Sequence, residues 1–320
     1  MEQTARIYVA GHRGLVGSAL MRRLTAQGYR NLLTRTHAEL DLTQPAAVEA
    51  WFAAERPHYV FLAAAKVGGI YANAAYPADF ISDNLAIQQS ILSAAHRYGV
   101  ERLLFLGSSC IYPRDCPQPI REEYLLTGPL EATNSAYAIA KIAGIEMCRA
   151  YRRQYGVRFL AAMPTNLYGP GDNYDLQNSH VLPALIRKFH EAKISGASEV
   201  VVWGTGTPRR EFLYSDDLAE AGLFLMNLDD RAFDALLDDP AAPALVNIGC
   251  GEDLSIAELA ATVAPVVGFH GNLIFDPTKP DGTPRKWLDV QRIQALGWRP
   301  VTPLDEGIAR AYRDFLSHAA

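Results

Sequence analysis

A strand-like run, RIYVA, leads straight into three glycines, Gly11, Gly14 and Gly17, which open the amphipathic stretch GLVGSALMRRLTAQG; Gly28 reads as its stop. Strand, glycine turn and helix in that order commit the chain to a strand–helix–strand start. Glycine in such a turn lets backbone N–H groups approach a pyrophosphate, and the helix N-terminus adds favourable partial charge. The spacing is GxxGxxG rather than GxGxxG. The loop Gly11, His12, Arg13, Gly14, Leu15, Val16, Gly17 is therefore the candidate dinucleotide-binding turn. A glycine-rich turn without a ligand is the alternative.

The alternation continues downstream. YVFLAAA (59–65) and RLLFLGSS (102–109) read as strands, and RFLAAMPTNLYGP (158–170) as strand and loop. The stretches 77–100 and 135–156 read as long helices, the first with Pro77 near its start. This pattern predicts the α/β class: a Rossmann-type doubly wound parallel sheet covered on both faces. After Tyr168 the character changes. A turn-rich loop (169–180) precedes a helix, VLPALIRKFHEAK, and a strand, EVVVWGTG, before FLYSDDLAEAGLFLMNL returns to the first pattern. The expected division is a nucleotide-binding domain over 1–168, with a return segment over 212–250. A smaller, interleaved C-terminal α/β substrate domain takes 169–211 and 251–320.

The net charge of −5 over 320 residues argues against a nucleic-acid surface, so an anionic ligand must be met by a local basic cluster. No apolar run reaches membrane-spanning length, and no apolar leader precedes Arg6. Cys110, Cys116, Cys148 and Cys250 have neither CxxC nor zinc spacing. The expectation is a cytoplasmic chain with free thiols, no metal, no nucleic acid and no membrane.

The run NLLTRT (31–36) is expected to end beside the adenosine ribose. An NAD site usually has a carboxylate there. This chain offers Arg35 and His37, with Arg13 in the loop, and basic groups suit a 2′-phosphate, hence NADP(H). Solvated surface arginines are the alternative. Asp41 and Leu42 are candidates to flank the adenine, and Asp41 is equally a helix-capping candidate. YAIAK places Tyr137 and Lys141 on one helix face. An ammonium lowers a tyrosine's pKa, and a serine hydroxyl at the end of RLLFLGSS can orient its proton. Such a trio protonates a carbonyl oxygen as hydride reaches its carbon. The second half adds three cation-bearing motifs: Arg187 and Lys188; Arg209 and Arg210; Lys279, Arg285 and Lys286. Guanidinium groups grip phosphate oxygens in bidentate fashion.

The glycine loop, the strand-end serine and YxxxK together resemble the extended short-chain dehydrogenase/reductases, which act mainly on nucleotide sugars. The segments AGHRGLVGSA, AAAKVGGI, YPADFI, LLFLGSSCIYP, YAIAKIAGI, MPTNLYGP, NSHV, VVWGTGTPRREF and KPDGTPRK sharpen the likeness. They resemble the 3,5-epimerase/4-reductases that convert GDP-4-keto-6-deoxy-D-mannose to GDP-L-fucose, over Ala10 to Lys286. The resemblance implies that Ser108, Tyr137 and Lys141 serve the reduction, with Cys110 as epimerisation base and His180 as acid. It places Leu106, Gly107, Ser108, Ser109, Lys141, Pro164, Thr165, Asn166, Leu167 and His180 against the cofactor. It places Lys188, Trp203, Arg210 and Asp281 against the substrate. Two departures stand out: Lys188 where many relatives carry arginine, and His37 where some do. Helices 77–100 and 135–156 are expected either to build a homodimer contact, as in relatives, or to cover the sheet. A plain NAD-dependent nucleotide-sugar epimerase of the same superfamily would need neither Cys110 nor His180. A nucleotide-sensing scaffold would usually have lost Ser108, Tyr137 or Lys141.

Overall fold

Strands buried on both faces need no polar alternation. Accordingly β1 (Ile7–Ala10), β4 (Arg102–Leu106) and β5 (Phe159–Pro164) are buried at every position. The computed structural model describes residues 1–176, 179–240, 242–279 and 281–318; Asn178 of NSHV and Pro280 of KPDGTPRK lie outside the described residues. After β1 come α1 (Leu15–Ala26), β2 (Leu32–Leu33), α2 (Pro45–Glu55), β3 (Tyr59–Leu62), α3 (Ile70–Ala75) and α4 (Pro77–Arg97). Then β4, α5 (Ser135–Tyr155), β5, β6 (Asn166–Tyr168), α6 (Val181–Ser195), β7 (Glu199–Trp203), β8 (Arg209–Arg210) and β9 (Phe212–Tyr214) follow. The remainder is α7 (Ser215–Met226), α8 (Asp230–Leu237), β10 (Leu245–Ile248), β11 (Leu254–Ser255) and α9 (Ile256–Val267), then β12 (Asn272–Asp276), β13 (Arg285–Lys286), α10 (Gln291–Ala295) and α11 (Leu304–His318).

The main sheet has the order β10-β5-β4-β3-β1-β2, and all its pairs are parallel. Its strand order reverses at β1, so a crevice opens beyond the ends of β1 and β3, where ligands of such sheets bind. The edge strand β2 is shorter than NLLTRT suggests. Beyond it the chain turns away: Glu39 accepts the Thr36 N–H at 2.7 Å, and Leu40 N–H donates to the Thr36 carbonyl at 2.9 Å. Asp41 does not cap the next helix. Gln44 stands at that position, and Asp41 instead accepts Thr43 N–H and hydroxyl at 2.9 and 2.7 Å.

A second hydrophobic cluster gathers Tyr168, Ile186, Phe189, Val202, Leu259 and Val263 from α6, α9 and neighbouring strands. The parallel pair β6–β9 runs between the two cores: Leu213 packs into the first, Phe212 and Tyr214 into the second. Near the C-terminus, Leu288, Ile293 and Trp298 pack back onto the first core. Two small sheets complete the second layer, β12 with β7, and β8 between β11 and β13. No described helix is long and apolar enough to cross a membrane. Among the described residues no group of His, Cys, Asp and Glu could hold a metal ion.

Helix α5 lies unusually close to the sheet because of Gly144. A Cβ there would come within 2.4 Å of the Phe105 ring and 2.6 Å of Gln88 Oε1. Gln88 Nε2 in turn donates to the Ala140 carbonyl at 2.6 Å. This close approach brings the Tyr137/Lys141 face to the end of β4. Gly144→Val is therefore expected to cost about 1–3 kcal/mol through overpacking. An unchanged midpoint in urea unfolding would refute the close-packing account.

Candidate active site

Strand β4 ends at Leu106, and the next residues form a tight turn. Ser108 Oγ accepts the Cys110 N–H at 3.5 Å, and Ser109–Ile111 makes one short 3-10 turn. Cys110 is left buried at its centre. From α5, Lys141 Nζ donates to the Leu106 carbonyl at 2.8 Å and lies 5.8 Å from the Tyr137 ring centre. Tyr137 is half-buried, with the Phe80 ring edge-on at 6.2 Å. Ser108, Cys110, Tyr137 and Lys141 thus converge from two elements on one sheet end.

Their environment is dry, and that sets the protonation balance. Burial pushes the Lys141 ammonium down to about 8, partly opposed by Cys110. Burial also raises the Tyr137 hydroxyl, with the Cys110 charge adding to it and the Ser108 hydrogen bond working against it. The Cys110 thiol is raised by burial; Lys286, Ser108 and Lys141 pull it back, in that order. His180 occupies the N-cap position of α6. Desolvation lowers its pKa first, and the Lys286 cation lowers it further. Lys286 therefore faces both Cys110 and His180.

The crevice at β1 fits a dinucleotide. A Cβ on Gly11 would lie 2.7 Å from the Ala64 nitrogen at the end of β3, and a Cβ on Gly17 would lie 2.0 Å from the Gly11 carbonyl oxygen. Only glycine lets α1 press against this loop. No side chain caps α1, so its first N–H groups stay open to an anion. His12 Nδ1 is buried there without a hydrogen-bond partner. Leu106, Gly107, Ser108 and Ser109 at the end of β4, and Pro164, Thr165, Asn166 and Leu167 after β5, stand along the same sheet edge. At the ribose end Arg13 and His37 are exposed. Arg35 is not free: it donates to Glu55 at 2.8 Å and sits 5.7 Å from the Trp51 ring. His37 lies 3.8 Å from Asp41 and Leu42 is buried.

The second layer gathers the substrate candidates. Trp203 is exposed, with Lys188 Nζ at 4.9 Å and Lys279 Nζ at 5.5 Å from its ring centre. Asp281 accepts the Thr205 N–H and hydroxyl at 3.0 and 2.7 Å. Arg210 donates to the Arg209 carbonyl at 2.7 Å, and Asp281 is its counter-charge. Sequence reasoning named Lys286 only as one of several cations that could meet a diphosphate, and it did not single out Glu211. That carboxylate, wholly buried, accepts Gly251 N–H at 2.7 Å and Leu288 N–H at 3.0 Å. Its only sequence signal is an acid enclosed by short apolar strands.

A lysine with a folded pKa near 8, against 10.5 for the free group, binds fewer protons folded than unfolded between those values. Its contribution therefore raises stability as pH climbs from 8 toward 10.5, and below 8 it is a constant penalty. Lys141→Met is expected to stabilise the cofactor-free protein by about 1–2 kcal/mol at pH 7, after loss of the bond to Leu106. The gain should fade by pH 10.5. Urea unfolding at both pH values checks this, and a destabilised variant at pH 7 would contradict it.

The sequence profile of the NAD dependent epimerase/dehydratase family matches residues 7–238. The chain is 57% identical over 318 residues to a probable GDP-L-fucose synthase 1 of Oryza sativa subsp. japonica, covering 99% of this chain and 94% of that one. It is 53% identical to the GDP-L-fucose synthase of Escherichia coli (strain K12), covering 98% and 97%. Among solved structures, a GDP-D-glycero-L-gluco-heptose synthase from Campylobacter jejuni, determined in the presence of NADPH, superposes with a TM-score of 0.92 at 38% identity, over 99% of both chains. The chain belongs to the NAD dependent epimerase/dehydratase family and, within it, to the branch of extended short-chain dehydrogenase/reductases that holds the GDP-L-fucose synthases.

Proposed function

We propose that this protein converts GDP-4-keto-6-deoxy-D-mannose to GDP-L-fucose, as an NADPH-dependent 3,5-epimerase and 4-reductase. The observation that carries the reading is the buried Cys110 thiol beside Ser108, Tyr137 and Lys141. Full-length identity of 53–57% to GDP-L-fucose synthases supports it.

The 4-ketone makes the protons on carbons 3 and 5 acidic. Ser108 and Tyr137 hold the ketone oxygen and stabilise the negative charge that develops there. Cys110 takes the proton from one face, and His180 supplies one to the other. The same pair serves both carbons in turn. The glycine loop and the walls at the ends of β4 and β5 would hold NADPH, which would supply the hydride for carbon 4. Tyr137 then gives its proton to the carbonyl oxygen, with Lys141 close to its ring. A dry pocket strengthens each of these electrostatic contacts. Lys188, Trp203, Arg210 and Asp281 hold the GDP moiety, the diphosphate meeting Arg210. Arg13 and His37, exposed at the ribose end, are the groups left to meet a 2′-phosphate.

The chain works as a cytoplasmic homodimer in this reading. Helices α4 and α5 pack side by side, and α5 leaves Ile139 and Tyr155 exposed. Gel filtration at working concentration should give the mass of two chains; a monomer would remove the dimer.

The central test is the product formed from GDP-4-keto-6-deoxy-D-mannose and NADPH in heavy water during a short incubation. Two carbon-bound deuteriums in the reduced sugar are expected, and Cys110→Ser should suppress both incorporations by about 10²-fold or more. Reduction without deuterium would make the protein a simple 4-reductase. No reduction at all would return it to the epimerase reading.

A further inference from the structure

A proton abstracted by Cys110 requires a thiolate, and burial opposes one. Epimerisation precedes hydride transfer, so the nicotinamide is still reduced and uncharged when the thiolate is needed. The stabilising cation must come from the chain itself. Lys141 is committed to the Leu106 carbonyl and the Tyr137 side. A second lysine is delivered from far along the sequence. Strand β13 pairs with β8 so that Lys286 sits opposite Arg210. The next residue, Trp287, donates its N–H to Gln118 Oε1 at 2.9 Å, and its carbonyl accepts the Ile120 N–H at 2.7 Å. These bonds fasten Lys286 onto the loop that carries Cys110, and the two side chains line one water-sized cavity.

We infer that Lys286 is a positioning residue for the epimerisation: its ammonium holds Cys110 as the thiolate and restores that state between carbon 3 and carbon 5. The inference rests on Cys110 being the base.

The surrounding charges leave this cation to the thiol. Glu131 faces Lys286 but is held by Arg114 at 3.4 Å. Asp253 is taken by Arg209 and by the neighbouring Arg285. Asp281 is engaged by Thr205. Among the described residues no carboxylate forms an ion pair with Lys286. The other groups facing it are Arg210, Cys116 and His180. Cys110 itself is faced by Lys286, Lys141 and Tyr137. The proton balance also needs such a group. After the first inversion Cys110 carries the proton taken from carbon and His180 has lost one. Before the second, the thiol must ionise and His180 must regain its proton. A cation facing both lowers the cost of the first change and raises that of the second, so that His180, once it has taken up the proton the thiol releases, gives it readily to the sugar.

The test uses the NADPH-bound protein and iodoacetamide, with alkylation of the Cys110 peptide followed by mass spectrometry across the pH range. Lys286→Met should move the alkylation midpoint up by at least about one pH unit, a roughly tenfold loss of thiolate at neutral pH. Deuterium incorporation into the substrate should fall by the same factor and recover as pH is raised, which a merely damaged site would not do. Lys286→Arg should keep the wild-type midpoint. Lys286→Gln repeats the measurement should the methionine variant fail to bind NADPH. An unchanged midpoint overturns the inference, including the case where only the substrate KM rises and Lys286 serves the diphosphate instead. Cys110→Ser separates the two levels: deuterium incorporation that survives it overturns the base assignment, while the alkylation midpoint still decides what Lys286 does to the thiol.

Discussion

The site depends on one buried carboxylate. Glu211 has no exposed surface, and such a group is tolerated only when its oxygens are satisfied. Its two carboxylate oxygens take backbone N–H groups from Gly251 and Leu288, and its own carbonyl accepts Thr165 Oγ1 at 3.2 Å and Asn166 Nδ2 at 2.8 Å. Asn247 extends the seam. It donates to the Ile120 and Asp289 carbonyls, and it accepts the Tyr112 hydroxyl at 2.6 Å. These bonds lock together the wall after β5, the end of β10, the Cys110 loop and the chain after β13. Arg210 lies one residue before Glu211, and Lys286 two before Leu288. The seam therefore decides where both cations point.

The overall charge of the chain is negative, yet the site is built from cations. Lys141, Lys286 and Arg210 are all depressed by desolvation, so each costs stability while the site is empty of anions. Nearby carboxylates leave the two lysines without an ion pair, since Glu131 and Asp253 are bonded elsewhere, while Asp281 is shared between Arg210 and Thr205. Such an arrangement is stabilised when a negative partner enters. In the proposed reaction a nucleoside diphosphate, an enolate oxygen and a thiolate are three such partners, and each would fall next to a different cation. The local field, not the global one, selects the ligand.

Much of this was legible in the sequence, and the limit has a physical cause. The glycine loop, the strand ends and YxxxK are local patterns, so spacing alone places them, and a parallel sheet follows from strand–helix alternation. The thiol beside the serine was legible for the same reason, because the two are neighbours in the chain. Arg35 shows where locality stops. Its residue type suggests a phosphate ligand, but Glu55, on a helix whose apolar pattern is masked by alanines, pairs with it. Glu211 and Lys286 were not assignable for a stronger reason. Their partners are separated by 77 residues for Leu288 with Glu211 and 169 for Trp287 with Gln118, and no period in a sequence encodes such a meeting.

In the proposed mechanism, the choice of a thiol as base follows from the same energetics. A carboxylate at the position of Cys110 would be desolvated like that of Glu211, whose pKa burial raises, and would need several donors around it to stay charged. A neutral thiol buries as a small apolar group and costs little. It becomes charged only when cations are close, and both lysines that face it come from other elements, α5 and β13. The base is thus assembled by tertiary contact rather than carried by one residue. The same lysine that lowers the cost of the thiolate makes the His180 ring a better proton donor, because it disfavours the imidazolium. One cation facing both a thiol and an imidazole pushes the first toward losing a proton and the second toward giving one, which is the division of labour that the proposed inversion requires.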